Sequence, residues 1–251
     1  MQDDYGNVTL VNVSGIYDEQ PLFIDKLKKG GAGVIDAVSM TGTNGYCDDM
    51  AKENFREMMK EYPTKGIHFI DGGNYHYLTL LWLSLIEEPF DLIVFDNHSD
   101  MQKPAFGDVL SCGGWIRNLV EDSGFKGKVT VVGVDKDNID KEMKELGVKF
   151  ITKQTILKKR GQQYGLENEL IDKCWTGKRP VYISVDKDVL DEKEYKTNWN
   201  QGIMSVDELF AIIEDTFEMR KVIGMDICGE MDEAVNSEFG SIYNEINQAV
   251  N

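Results

Sequence analysis

Short runs of apolar and β-branched residues alternate with longer amphipathic segments along the whole chain. Runs that stay apolar at every position are typical of strands buried on both faces, so the alternation predicts a parallel sheet covered by helices on both sides. Strands are predicted at residues 8–16, 33–37, 67–70, 92–95, 129–134, 181–185 and 222–227, with a shorter one at 148–151.

Segments with apolar residues at helical spacing lie between these runs. They predict helices at residues 49–61, 75–87, 114–122, 138–145, 166–174, 206–220 and 242–250. The clearest helix start is Ser205, because Glu208 completes a capping box in which each side chain accepts a hydrogen bond from the other residue's free backbone N–H. Right-handed crossovers bring the loops that follow the strands to one edge of the sheet, where ligands should gather.

Composition and charge narrow the classes of partner. The 251 residues, 41% hydrophobic and 28% charged, are typical of a globular chain, and we expect one domain spanning residues 1–251. A formal net charge of −17 repels polyanions, so we expect neither nucleic acid nor an anionic membrane surface as a partner. The same charge would favour a cationic substrate, although acidity that only keeps a protein soluble explains it equally well.

The expected location is the cytoplasm. The N-terminus lacks the pattern of a signal peptide, and no apolar stretch is long enough to span a bilayer. Cys47, Cys112, Cys174 and Cys228 are widely separated, without the paired spacing of a zinc ribbon or a disulfide framework. Reduced thiols are therefore expected.

Asp96, His98 and Asp100 come directly after the predicted strand 92–95. Single residues separate them, so in an extended backbone their side chains point to the same side. Carboxylates with a minority of imidazole suit Mn(II) or Mg(II). By itself the pattern fits a polar loop, in which Asp96 caps a helix, just as well as a metal site.

A second acidic pair, Asp186 and Asp188, ends the predicted strand 181–185. Burying Asp186 at the end of a central strand would be costly unless a cation or hydrogen bonds compensate. A surface cluster neutralised by Lys187 is the simpler alternative. Together with the first motif, however, two acidic strand ends favour one shared metal site.

A glycine pair, Gly72 and Gly73, marks a tight turn after the strand 67–70. His76 lies at the crevice that this turn would form. His68 stands inside the strand and is better explained as a packed core residue. Of the three histidines, His76 is thus the best candidate for a ligand in addition to His98.

In chain order, the turn Gly-Gly-Asn-Tyr-His, the strand ends Asp-Asn-His-Ser-Asp and Ser-Val-Asp-Lys-Asp, and the acidic segment 224–230 resemble the motifs of the ureohydrolase superfamily, which includes arginase, agmatinase and formiminoglutamase. The resemblance implies an α/β, three-layer αβα, arginase-like fold with a mainly parallel sheet of about eight strands. It also implies a binuclear manganese hydrolase with two Mn(II) per chain. Such an enzyme cleaves a non-peptide carbon–nitrogen bond of a small cationic guanidino or amidino substrate by metal-bound hydroxide.

The resemblance assigns a role to each candidate ligand. It implies that Asp96 and Asp186 bridge both metals. His76 and Asp100 would complete one ion, and His98 and Asp188 would complete the other. Asp100 would also accept a hydrogen bond from the hydroxide and orient it.

The sequence departs from the family pattern around the ligands. The glycine turn is one residue longer, so an ungapped match places Tyr75 at the ligand position. Asn97 replaces a small residue. Cys112 lies where arginases carry a proton-shuttle histidine, and it is either a thiol that takes part in catalysis or a small buried filler.

Substrate recognition is the least determined part of the site. An ungapped match puts Gly229 where the family has a substrate-binding glutamate, so Glu230 is the candidate, with Asp226 as the alternative and a surface acid open at both positions. The loop 197–202, with Trp199, is either part of a pocket mouth or a structured turn. Residues 102–111, including Phe106, occupy the loop that recognises the far end of the substrate in relatives.

Two other functions stay open. A zinc-dependent deacylase related to histone deacetylases would use a single zinc with an Asp-x-His and a distant Asp. A non-catalytic protein of the same fold would keep the metals and bind a metabolite or partner, which the missing shuttle histidine supports. Because relatives often form trimers or hexamers, the resemblance also leaves a homo-oligomer open.

Overall fold

The computed structural model describes residues 7–104, 107–160 and 170–231. In these residues the strands are β1 (Val8–Asn12), β2 (Gly33–Asp36), β3 (Tyr46–Cys47), β4 (Ile67–Ile70), β5 (Asp91–Phe95), β6 (Leu110–Ser111), β7 (Val129–Val132), β8 (Lys149–Ile151), β9 (Val181–Asp186) and β10 (Val222–Cys228). The α-helices are α1 (Pro21–Lys29), α2 (Asp49–Met59), α3 (Leu78–Leu83), α4 (Trp115–Glu121), α5 (Lys141–Glu145), α6 (Lys153–Lys159) and α7 (Val206–Met219).

Eight of these strands form one sheet in the order β2-β1-β4-β10-β9-β5-β7-β8, and each neighbouring pair is parallel. The short strands β3 and β6 pair antiparallel beside it. Since all strands of the large sheet run in one direction, their carboxyl ends meet at the same edge. The four central strands, β4, β10, β9 and β5, therefore present their following loops side by side.

Successive residues of the central strands pack into opposite cores. Leu92 and Val94 contribute to one hydrophobic cluster, together with residues of α2, α3 and α4. Ile93 and Phe95 contribute to the other, together with residues of α1, α6 and α7. Because both faces of the sheet are buried under helices, the molecule has the predicted three layers, and the predicted αβα fold is confirmed.

All eight strands of the sheet overlap the segments predicted from the sequence. The predicted strand 8–16 ends earlier, at Asn12, because Gly15 adopts a φ of 89° and a short helical turn, Ile16–Glu19, follows. The capping box of Ser205 and Glu208 is present at the start of α7, as predicted.

The helix predictions are less accurate. The predicted helix 75–87 is reduced to α3, because the glycine turn continues into a tight helical turn, Gly73–Tyr75. The predicted helix 138–145 begins only at Lys141, where Asp140 caps it. The described part of 166–174 includes a single π-helical turn, Ile171–Trp175, while 242–250 lies outside the described residues. The helices α1 and α6 and the strands β3 and β6 were not predicted.

Among residues 7–104, 107–160 and 170–231, every helix is too short or too polar to span a membrane.

Candidate metal centre

Three of the central strands deliver the candidate ligands to one edge of the sheet. Asp96, His98 and Asp100 follow β5, Asp186 is the last residue of β9, and Asp188 lies in the next turn. His76 follows β4 and its glycine turn. Asp100 adopts a φ of 48°, which residues other than glycine rarely do. The backbone N–H of Ile116 donates a hydrogen bond to the carbonyl oxygen of Asp100 at 3.0 Å.

His76 lies among three carboxylates. Its Nδ1 atom is 3.0 Å from Asp100 Oδ2, 3.2 Å from Asp96 Oδ2 and 3.6 Å from Asp186 Oδ2. The His76 side chain is 1% exposed, so these atoms form a buried cluster with little access to water. His76, Asp96 and Asp100 form a group whose atoms lie within reach of one cation.

His98 belongs to a second group, which is more open. Its Nδ1 atom is 2.7 Å from Asp188 Oδ2 and 3.5 Å from Asp96 Oδ1. Asp96 is shared by both groups: Oδ2 faces His76, and Oδ1 faces His98. A carboxylate that directs one oxygen to each group is suited to bridge two cations.

Hydrogen bonds from behind orient His76. Ser184 donates its hydroxyl hydrogen to Asp226 Oδ1 at 2.6 Å, and Ser184 Oγ lies 2.9 Å from His76 Nε2. Because the hydroxyl hydrogen is used, Ser184 Oγ accepts from the Nε2–H of His76. A neutral His76 then carries its lone pair on Nδ1, the nitrogen that faces the carboxylates.

Backbone and indole groups fix the carboxylates. Trp115 Nε1 donates to Asp100 Oδ2 at 2.7 Å. The backbone N–H groups of His98 and Asp188 donate to Asp96 Oδ1 at 2.6 Å and to Asp186 Oδ1 at 3.0 Å. These donors fix the three carboxylates, and Asp100 Oδ2, Asp96 Oδ2 and Asp186 Oδ2 face His76.

Two buried polar atoms at the centre lack a hydrogen-bond partner among the described residues, namely His76 Nδ1 and Asp96 Oδ2. They lie 3.2 Å apart, without the geometry of a hydrogen bond. Unpartnered polar atoms are rare in a protein interior because their desolvation costs free energy. A cation held between them would satisfy both, and the oxygen-rich donor set fits a hard divalent ion better than structural zinc.

The pKa shifts indicate a site that demands positive charge. Burial raises the pKa of Asp186 and of Asp188, and the neighbouring carboxylates raise both further. Burial alone would lower the pKa of His98, but hydrogen bonds to Asp188 and Asp96 raise it to about 11. For His76 the opposing effect of burial is also overcome by the acids around it, and its pKa lies well above the usual range. A cation would relieve this crowding of negative charge.

The centre opens into a cavity of about 340 Å³. Its floor is formed by Asp96, His98, Asp100, Asp186 and Asp188. Its walls are formed by Asn44, Gly45, Tyr46, Gly73, Asn74, Gln102, Ser111, Cys112, Gly113 and Trp199. The glycine turn leaves space for this arrangement, since a Cβ atom on Gly73 would approach Trp199 Cδ1 to 2.8 Å.

The loop 197–202 is a structured turn that also lines the cavity, so both sequence interpretations apply. Trp199 Nε1 donates to Asn74 Oδ1 at 2.9 Å, and the Trp199 ring lies 5.7 Å from that of His98. The loop is held by Asn97, which donates to the carbonyl of Asn200 at 2.5 Å. Asn97 thus positions the wall beside His98.

The candidates for proton transfer and substrate binding fall in different places. Cys112 lines the cavity, and burial raises the pKa of its thiol to about 11. Glu230 is 3% exposed and forms a buried ion pair with Lys187, outside the cavity lining. Asp226 is fully buried behind Ser184. Phe106 lies outside the described residues.

Sequence reasoning missed several residues of the site. Trp115 was assigned only to a helix, and nothing local predicts that its indole reaches Asp100. Asn44 and Tyr46 come from the unpredicted strand β3 and the turn before it. Ser184 was part of the motif, but its contact with His76 spans 108 positions and depends on the fold.

The sequence is similar to a family of known proteins and to a protein from another organism. The model of the arginase family matches residues 27–231. A protein from Thermotoga maritima, itself uncharacterized, is 30% identical over 227 residues, which cover 90% of this chain and 80% of that protein.

Two solved structures have the same fold at low sequence identity. Proclavaminate amidino hydrolase from Streptomyces clavuligerus superposes with a TM-score of 0.71 at 17% identity, covering 99% of this chain and 92% of its own. Formiminoglutamase from Trypanosoma cruzi with Mn²⁺ gives a TM-score of 0.70 at 14% identity, covering 98% and 92%.

Proposed function

Because the chain belongs to the arginase family, we propose that it is a binuclear manganese hydrolase, which cleaves a non-peptide carbon–nitrogen bond of a guanidino or amidino compound. The observation that carries the proposal is the sharing of Asp96 by two groups of candidate ligands. One oxygen of this carboxylate faces His76 and the other faces His98. A single cation in either group would leave the other group without one.

The proposed ligand set divides between two ions. His76 and Asp100 would hold one, His98 and Asp188 the other, and Asp96 and Asp186 would contact both. Six carboxylate or imidazole side chains of this kind match Mn(II), and the Trypanosoma cruzi formiminoglutamase of the same fold contains Mn²⁺. When bound, such a pair of ions activates water by lowering its pKa towards neutrality.

The residues of the chain orient the reactants. Trp115 holds Asp100 Oδ2 through a 2.7 Å hydrogen bond, and the other oxygen of that carboxylate would accept a hydrogen bond from the attacking water. Ser184 fixes the ring of His76. Trp199 and Asn74 close one side of the cavity, which limits the water around the reacting carbon.

The cavity supports a small substrate. Its volume of about 340 Å³ is at the lower end of the range for ligand sites. The amidino hydrolase from Streptomyces clavuligerus has the same fold, and we extend the chemistry in its name, the hydrolysis of an amidino group, to this chain. The four free cysteines suit a reducing compartment, so we place the enzyme in the cytoplasm.

Turnover of guanidino compounds tests the proposal. The protein is loaded with Mn(II) and screened against guanidino and amidino compounds, with urea, ammonia or formamide as the readout. We expect the Asp186→Asn variant to lose activity and metal together, by more than about a hundredfold, because it removes a carboxylate shared by both ions. The matched variant Asp191→Asn, in the same loop but outside the cavity lining, should stay within about twofold of wild type.

Full activity of Asp186→Asn would contradict the assignment. One zinc per chain in the active protein would instead support the deacylase. Absence of turnover in the whole screen would support a binding protein that keeps the metals.

A further inference from the structure

The far part of the cavity is polar and aromatic but carries no positive side chain. Beyond the candidate ligands, its wall includes Asn44, Tyr46, Asn74, Gln102, Ser111 and Trp199. Among the described residues that line it, His98 is the only Lys, Arg or His. Tyr46 and Trp199 are 51% and 41% exposed, so a ligand can reach their rings.

The segments outside the described residues cannot supply the missing charge. Residues 1–6, 105–106, 161–169 and 232–251 contain no Lys, Arg or His, so every basic side chain of the protein belongs to the described part. No residue outside the described ranges can therefore add a second basic side chain to the cavity beside His98.

Three basic residues that are near the candidate ligands in sequence or contact the loop 197–202 are engaged elsewhere. Lys187 lies between two candidate ligands, but it is fully buried and forms an ion pair with Glu230. Lys103 Nζ contacts Glu142 Oε2 at 2.8 Å. Lys153 Nζ donates to a backbone carbonyl of the loop 197–202 at 3.4 Å. None of the three lines the cavity.

Some neutral hydrogen-bond donors in the cavity wall already have partners within the protein. Asn74 Nδ2 donates to Asn44 Oδ1 at 2.7 Å, and Trp199 Nε1 donates to Asn74 Oδ1 at 2.9 Å. These hydrogen bonds consume donors that an anionic group would need. They leave the ring of Trp199 as the exposed feature of this wall, and aromatic faces attract cations.

An anionic group on the substrate would therefore meet negative potential without compensation. The chain carries a formal net charge of −17. Two divalent ions would carry no more charge than the four carboxylates around them, so they would not offset this field. Building on the proposed function, we propose that the substrate is a guanidino or amidino compound with no carboxylate or phosphate at its far end.

Three compounds of equal length test this directly. Guanidinobutanoate, guanidinobutanamide and aminobutylguanidine share a four-carbon chain, and their far ends are an anionic carboxylate, a neutral amide and a cationic ammonium group. On the manganese-loaded protein we expect the anionic compound to have a kcat/KM at least about tenfold below that of the amide, and a correspondingly weaker Kd by calorimetry. The cationic compound should match or exceed the amide.

The outcomes separate this inference from the proposed function. If none of the three is hydrolysed, the loss falls on the proposed function, and the calorimetric affinities decide the inference. A carboxylate compound that reacts or binds as well as the amide overturns it. Equal affinity for all three, including no binding by any, overturns it as well.

A charge added to the rim provides a second test. Asn44 is exposed at the cavity wall, and Asn44→Arg should raise the kcat/KM or affinity ratio of the carboxylate compound to the amide about tenfold. The control Asn7→Arg makes the same change at an exposed position just before β1, at the opposite edge of the sheet, and should leave the ratio unchanged. An unchanged ratio in Asn44→Arg would contradict the proposal.

Discussion

His76 is held so that one ring nitrogen faces three carboxylates and the other faces Ser184. The orientation depends on a chain of buried hydrogen bonds that ends at Asp226. Metal affinity depends on such contacts behind a ligand as well as on the ligand itself, because they fix its tautomer and its direction. Ser184 is therefore a positioning residue.

Replacing Ser184 by alanine tests this role. We expect Ser184→Ala to weaken Mn(II) binding about tenfold to a hundredfold, because His76 loses the acceptor that fixes its tautomer. The measurement is calorimetric titration of metal-free protein. The control Ser84→Ala removes a hydroxyl that bonds only to the carbonyl of Leu81, and it should leave the Kd unchanged. Equal affinities of wild type and Ser184→Ala would contradict the role.

At the scale of elements, a buried ion pair connects the ends of the adjacent strands β9 and β10. Lys187 lies in the turn after β9 and Glu230 follows β10, and both side chains are shielded from water. The ammonium group of Lys187 also lies 5.0 Å from the centre of the Tyr195 ring. The pair holds the end of β9 and the turn after it, which carry Asp186 and Asp188.

Breaking this pair should destabilise the protein. Lys187→Met leaves Glu230 buried without its cation and should lower the free energy of unfolding by about 3–5 kcal/mol. The double variant Lys187→Met/Glu230→Gln should recover much of the loss. Urea unfolding measures both, and Lys141→Met, which breaks an exposed pair with Glu145, should change stability by less than about 1 kcal/mol. No recovery in the double variant would show that the charge of Glu230 is not the cause.

A contact between β4 and α3 makes the free energy of unfolding depend on pH. His68 on β4 stacks on Trp82 of α3 at 3.9 Å, and burial lowers its pKa from 6.5 to about 4. The folded protein thus binds this proton less readily than the unfolded chain. The contribution of neutral His68 to the free energy of unfolding is complete above pH 6.5 and is lost as the pH falls towards 4.

The pH dependence should disappear with the imidazole. Between pH 7 and 4, metal-free wild type should lose about 3 kcal/mol of unfolding free energy more than His68→Phe. Urea unfolding at a series of pH values measures the difference, in which the titration of the metal centre cancels. A difference that does not change with pH would contradict the assignment.

At the scale of the whole molecule, sequence predicted the sheet better than the site. Strands buried on both faces are apolar at nearly every position, as in β5 and β9, and such runs are easily recognised. The helix α6 was missed because Ile156 is its only buried residue, and β3 and β6 have two residues each. Local patterns cannot predict these short elements.

The same limit applies to contacts across the fold. The acids and histidines of the centre follow strand ends, so their positions could be predicted from the strands alone. The pairing of Glu230 with Lys187 spans 43 positions, and only the folded chain shows that this glutamate is turned away from the cavity. Trp115 reaches Asp100 through packing of α4, which no local pattern indicates.

Counting the ions tests the central claim most directly. Titration of the metal-free protein with Mn(II), followed by calorimetry and metal analysis, should give two ions per chain. Asp96→Asn should remove both, because this carboxylate serves both groups, whereas Asp188→Asn should remove one, because Asp188 lies only in the group of His98. A single ion per wild-type chain, or two ions retained by Asp96→Asn, would contradict a two-metal centre.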